Sequence, residues 1–222
     1  MSENGSALGG GIYNDGTVNN GGTVVLSNST VSANGVAGSG AGGGIFNFSQ
    51  GPDKLLLTNT TITNNGALGS GSGIASLGTF AVAFAGNNNI VAGNTGSADI
   101  DGPFSGIRNI VGTTANLFLG PLANNGGPTL THALLPGSTA AIGRGDLTTC
   151  TTPPVNSVDQ RGQPRGPIAC SIGAYEPQGG PGARSSTASI PALSNWMLAL
   201  LAMLLVGCVA LADRGRCRKS GR

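Results

Sequence analysis

The chain has 222 residues, of which 40 are glycine and only 9% are charged, with 11 basic and 9 acidic side chains and a single histidine. Such a composition is unlike that of an ordinary enzyme domain, and the patterned recurrence of Val, Ile and Leu excludes a disordered chain. The formal charge of +2 originates at the C-terminal end, where Arg214, Arg216, Arg218, Lys219 and Arg222 lie; the body before Trp196 holds more acid than base and lacks the basic footprint of a nucleic-acid binder.

In chain order, the first feature is a phrase that recurs. GGGIYN at Gly9 to Asn14 returns as GGGIFN at Gly42 to Asn47 and, degraded, as GSGIAS at Gly71 to Ser76. Each copy is followed by a second phrase: VVLSNSTVSANG from Val24, LLLTNTTITNNG from Leu55 and the weaker NNIVAGN. In register, Asn28 falls on Asn59 and Asn88, and Asn34 on Asn65 and Asn94, both series stepping by the same two intervals, the second slightly shorter than the first. A fixed period in this range marks a solenoid whose units must stack to bury their apolar faces.

Within a copy, apolar residues alternate with Ser, Thr and Asn at a period of two, and Gly and Asn are too dense for a helix. The unit is therefore strand, bend, strand, and the fold class is all-β. Short strands stacking on their own copies at about 4.8 Å make a parallel β-helix over residues 1–110. The two Asn series are expected to form the bends, using the left-handed backbone that Asn tolerates, and to hydrogen-bond up the stack as ladders. The Gly, Ala and Ser runs at Gly35 to Gly44 and Gly66 to Gly73 are expected to be flexible excursions. Asp99 and Asp101, with Ser97, form a close acidic pair read as a solvated turn after the last coil, since no further acid lies nearby to complete a calcium site.

This combination of GGGIxN and LTNSTIxxN resembles the repeats of bacterial surface proteins with right-handed parallel β-helices, including the polymorphic outer-membrane protein type. A second resemblance covers Leu119 to Glu176, within a module placed at residues 111–176. Asn125-Gly126-Gly127-Pro128-Thr129, Leu134-Leu135-Pro136-Gly137-Ser138, Asp159-Gln160-Arg161-Gly162 with Pro164-Arg165, and Cys170 through Ile172-Gly173-Ala174-Tyr175-Glu176 are similar to the choice-of-anchor Q domain that follows such repeats. Gly143-Arg144-Gly145 departs from the Asp-Ala-Gly common in that module. The segment is expected to cap the final coil, pinned by ion pairs among Asp159, Arg161, Arg165 and Glu176, with His132 a packed polar residue.

Residues 177–189 read as a Gly/Pro/Ser linker. Beyond them, an uncharged apolar stretch runs from Trp196 to Ala212, at the lower limit of length for spanning a bilayer as a helix, and a basic segment follows over 213–222. That is one C-terminal transmembrane helix, with the basic stop-transfer residues cytoplasmic and the body outside the inner membrane. Ile190-Pro191-Ala192-Leu193 followed by Trp196 resembles the IPTL-type sorting signal of Gram-negative bacteria, with Ala at the usual Thr position. That resemblance implies a membrane-anchored precursor, an exosortase-type transpeptidase as partner, and delivery to the cell surface.

Cys150 and Cys170 bracket a Pro-rich loop in an exported chain and are expected to form a disulfide. The opening residues hold no signal peptide, so Met1 is expected to lie inside a longer reading frame with further coils upstream. No metal or cofactor is expected. The leading function is a non-enzymatic surface protein, adhesin-like or structural, with an extracellular glycan or host-surface ligand as the partner class. The alternative is a β-helical polysaccharide lyase or glycosidase whose active site lies in upstream coils.

Overall fold

The computed structural model describes residues 5–16, 22–49, 54–78 and 84–179. The sorting motif Ile190 to Leu193 with Trp196, the apolar stretch 196–212 and the basic residues Arg214 to Arg222 lie outside them. Among the described residues no helix is long and apolar enough to cross a membrane.

The fold is all-β, and its larger part is built of parallel sheets. The chain passes through four sheets in turn and does so four times. The first round is β1 (Gly5–Leu8), β2 (Ile12–Gly16), β3 (Thr23–Ser27) and β4 (Thr30–Ser32). The second is β5 (Gly35–Ala41), β6 (Ile45–Ser49), β7 (Lys54–Thr58) and β8 (Thr61–Thr63). The third is β9 (Gly66–Ala67), β10 (Ile74–Leu77), β11 (Phe84–Asn87) and β12 (Ile90–Val91). The fourth is β13 (Thr95–Gly96), β14 (Ile100–Asp101), β15 (Phe104–Ser105) and β16 (Ile110–Val111). Each strand pairs in parallel with the strand four places on, an arrangement compatible with a β-helix-like fold.

Register places like on like. Ile12, Ile45, Ile74 and Ile100 form one inward column, and Val31, Ile62, Val91 and Val111 another. Together with Leu55, Leu57 and Phe84 they make the main core. Each such side chain withdrawn from water contributes roughly 1.5–3 kcal/mol before entropy is counted.

The bends explain the repeated phrases. Asn28, Asn59 and Asn88 turn the chain from the third sheet to the fourth with φ of 46°, 48° and 59°. The second Asn series does not bend: the left-handed residues there are Ala33, Asn64 and Gly93, each one position earlier. Asn34, Asn65 and Asn94 are instead freed to bond one another. The glycine runs are not loose excursions either. β5 and β9 are paired strands, and a Cβ on Gly43 would meet the Ser72 and Gly66 carbonyl oxygens at 2.4 and 2.5 Å.

The fourth round, absent from the sequence reading, is compressed. Arg108, at φ 57°, takes the bend that Asn performs elsewhere, and the left-handed residue after β16 is Gly112, at φ 67°, one position earlier in register than Gly93 after β12. Asp99 and Asp101 thus precede and enter a strand that pairs with β10, so they do not form a turn beyond the last round.

After β16 come an antiparallel hairpin, β17 (Leu119–Ala123) and β18 (Thr131–Leu134), and a short helix, α1 (Leu147–Thr151), whose N-cap Asp146 accepts from the Thr149 N–H. The expectation that this module closes the end of the stack needs correction. It runs along the outer face of the fourth sheet, where Ile90 and Ile110 pack with Leu117, Leu134, Ala141 and Ile172 in a second core. Contact is so close that a Cβ on Gly173 would meet Ile90 Cδ1 at 2.6 Å and Thr61 Oγ1 at 2.8 Å. Because both faces of this sheet are covered, β4 and β8 are buried at every residue, polar ones included.

Candidate functional site

Two polar columns run along the stack. In the first, Asn34 donates its N–H and Nδ2–H to Asn65 Oδ1 at 3.1 and 3.0 Å, and Asn65 donates likewise to Asn94 Oδ1, both at 2.9 Å. Asn94 in turn donates to Asp99 Oδ1 at 2.8 and 2.6 Å. Asp99 is the carboxylate end of a ladder and not half of a catalytic pair. Asp101 is engaged separately, accepting from the Ser70 hydroxyl.

The second column faces the module and fastens it. Asn28 Nδ2 donates to the Val158 carbonyl at 3.0 Å; Asn59 Nδ2 donates to the Ser171 and Gly173 carbonyls at 3.3 and 3.4 Å. Asn88 exchanges two bonds with the Asp146 backbone, at 3.1 and 2.7 Å, and donates to Asn59 Oδ1 at 3.3 Å. One amide per round thus replaces the backbone partners that an irregular segment would otherwise lack when buried. Near the same strip Cys150 and Cys170 are joined in a disulfide.

The charged cluster closes the module on itself and on the first round. Asp159 pairs with Arg161 at 2.7 Å, and Arg161 also donates to the Asn125 and Glu176 carbonyls and lies 3.8 Å over the Tyr175 ring. Arg165 pairs with Glu176 at 3.4 Å and spends its remaining donors on the carbonyls of Val158, Ser171 and Gly173 and on Asn28 Oδ1. With every N–H of its guanidinium matched to an acceptor, Arg165 has no donor left for a ligand. Burial pushes the Glu176 carboxyl above its ordinary range, against the Ser171 N–H and Arg165, and burial likewise lowers Arg165 against Glu176 and Asp159. Desolvation outweighs attraction at both partners, the usual balance of a buried pair.

His132 sits between hairpin and stack. Its Nδ1 is 2.7 Å from the Gly120 carbonyl, which can only accept, so the proton is on Nδ1 and Nε2 accepts from Ser32 Oγ, also at 2.7 Å. A serine within reach of an oriented imidazole is the beginning of a nucleophilic site. Here Ser32 and His132 are 1% and 2% exposed, so no substrate reaches the pair, and it serves as a clasp. Burial lowers the imidazole pKa, and the Gly120 bond opposes this in part. Among the described residues no three His, Cys, Asp or Glu side chains gather as metal ligands.

A broad concavity lies where the hairpin meets the first round. It measures about 630 Å³; Ile12, Leu26 and Val31 line one side, and Leu122, Pro128 and Leu130 of the hairpin and its turn form the other. Gln160 bridges them, accepting from Thr30 Oγ1 at 2.6 Å and donating to Thr129 Oγ1 at 2.9 Å. Its walls suit an apolar side chain flanked by a peptide backbone, and they offer no acid or base for catalysis. Sequence reasoning missed this groove because the whole module was expected over the final coil, away from the first round.

Comparison of the chain with family models, with curated proteins and with solved structures finds no match.

Proposed function

We propose that this chain is a non-enzymatic cell-surface module: a right-handed parallel β-helix, braced by a choice-of-anchor Q-like segment, exported and displayed through an exosortase-type C-terminal sorting signal. The observation that carries the reading is one coupling within the chain. A body whose buried charges are spent on one another is followed by a tail of motif, uncharged apolar stretch and basic end. Such a body presents shape and backbone, not reactive groups, and such a tail suits delivery to the outside. The internal disulfide is in keeping with an oxidising compartment.

The reading is tested by expressing the chain behind an export signal in a Gram-negative host with and without an exosortase-type transpeptidase. Loss of the tail and protease accessibility of the body, both dependent on the transpeptidase, are expected. A body that remains cytoplasmic, or release of sugar from bacterial or plant glycans by the purified chain, would overturn it.

A further inference from the structure

A concavity of about 320 Å³ lies on the module itself, lined by Ser138, Thr139, Ile142, Gly143, Arg144 and Ala169. Its walls all come from residues 137–169, so the site is complete within the module. Its frame is braced. Ser138 Oγ accepts from the Phe118 N–H at 3.0 Å and donates to the Phe118 carbonyl at 2.8 Å. On either side of Arg144, the Gly143 N–H reaches Ser171 Oγ at 3.3 Å and the Gly145 N–H reaches the Cys170 carbonyl at 2.8 Å, and Cys170 is tied to Cys150. A group carried on backbone anchored in this way loses little freedom when a ligand arrives.

Arg144 is the charged residue of these walls. Its Nε donates to the Thr139 carbonyl at 3.3 Å, which orients the guanidinium; among the described residues Nη1 and Nη2 carry no bond and no carboxylate pairs with them. Arg161 and Arg165, by contrast, are spent on acids and carbonyls within the module. Beside the cavity stands Phe118, 52% exposed, whose ring a Cβ on Gly137 would meet at 3.5 Å. Among the described residues no other ring stacks on it. Thr139, also exposed, adds a hydroxyl.

The free edge of a guanidinium fork matches a carboxylate through two parallel bonds. Two features say what that carboxylate is attached to. Every main-chain N–H from Ser138 to Gly145 is already bonded within the protein, so a peptide laid here would find no backbone donor. An uncovered aromatic face and a hydroxyl suit a pyranose ring, which carries C–H groups on a face and hydroxyls at its rim. We propose that this cavity binds a hexuronate unit of an acidic glycan, with the carboxylate on Arg144, a C–H face on Phe118 and a ring hydroxyl on Thr139. The cavity holds no acid or base to cleave the sugar, so the site binds without turnover. Binding is measured on the purified chain and stands or falls apart from export and display.

The test uses the full chain, purified in a detergent that carries no sugar, with the methyl glycosides of glucuronate and galacturonate as probes, read by calorimetry and saturation-transfer NMR. Saturable binding to at least one uronate is expected, weakened by added salt. The methyl glycosides of glucose and galactose should not bind. Arg144→Gln should weaken binding at least about tenfold, as loss of charged hydrogen bonds implies, and Arg144→Lys, which keeps the charge without the fork, should weaken it less. Phe118→Ala leaves the main-chain bonds to Ser138 in place and should weaken it severalfold, so the idea stays testable if the Arg144 variants misfold. Four results would overturn the proposal: no binding of either uronate at about 10 mM, equal binding of the neutral sugars, affinity indifferent to these substitutions, or equally tight binding of a short peptide through its terminal carboxylate.

Discussion

At the first round the strands β3 and β4 read TVVLS and TVS, whereas at the fourth round Asp99, Asp101, Pro103 and Arg108 stand in or between strands only two residues long. Charges, proline and short length are the devices by which sheets blunt an edge. The module's attachments differ in the same sense: polar clasps reach the first round through Asn28, Thr30 and Ser32, while Ile110 of the fourth round is held by apolar packing. The difference teaches that the fourth round is blunted by its own chemistry, whereas the first keeps the uncharged strands of a round inside a stack.

The largest blow to that contrast is Arg165→Ala. It leaves Glu176 buried without its cation and cuts the bond to Asn28, and should cost about 3–5 kcal/mol in urea denaturation. Next, Ile172→Ala hollows the apolar cluster on the fourth-round side and should cost about 2–4 kcal/mol by the same measurement. If the two variants also differ in hydrogen exchange, the first loosening amides near Asn28 and the second those near Ile110, the polar and apolar halves of the attachment are separate.

The pH dependence isolates the Ser32 clasp. Because the folded imidazole pKa is lowered, the unfolded chain binds more protons as pH falls through the unfolded value of about 6.5, and His132 costs stability progressively below it. Above that value the neutral clasp is intact. The urea midpoint should therefore fall more between pH 7.5 and pH 5.5 in the native chain than in His132→Gln; equal slopes would refute the assignment.

Two smaller changes sharpen the contrast. Asp99→Asn keeps the acceptor for Asn94 but removes the charge, so it should cost no more than about 1 kcal/mol while promoting concentration-dependent end-to-end association in sedimentation. Ala33→Asn puts at φ 55° the residue type that the next round uses at Asn64, and should stabilise by about 0.5–1 kcal/mol in thermal unfolding.

Much of the stack was legible because identical environments demand identical residues. The period, the Asn28, Asn59 and Asn88 bends and the Asn34, Asn65 and Asn94 ladder all follow from one residue meeting its own copy. The fourth round escaped because Arg108 replaced the marker Asn and the interval shrank, although Asn109-Ile110-Val111 does echo Asn89-Ile90-Val91. Glycine was misread as slack where the backbones approach too closely for a Cβ, as at Gly43. The module's position along the side escaped for another reason: it depends on which face of the Asn28 column looks outward, and a repeat period carries no information about facing.

In the column from Asn34 to Asp99 every interior amide both gives and receives, so its internal accounting is the same for a short column as for a long one. A duplication or deletion of one whole repeat in the gene would thus leave no amide of this column without a partner, and the limit on repeat number falls to the module, whose backbone is matched round by round to Asn28, Asn59 and Asn88.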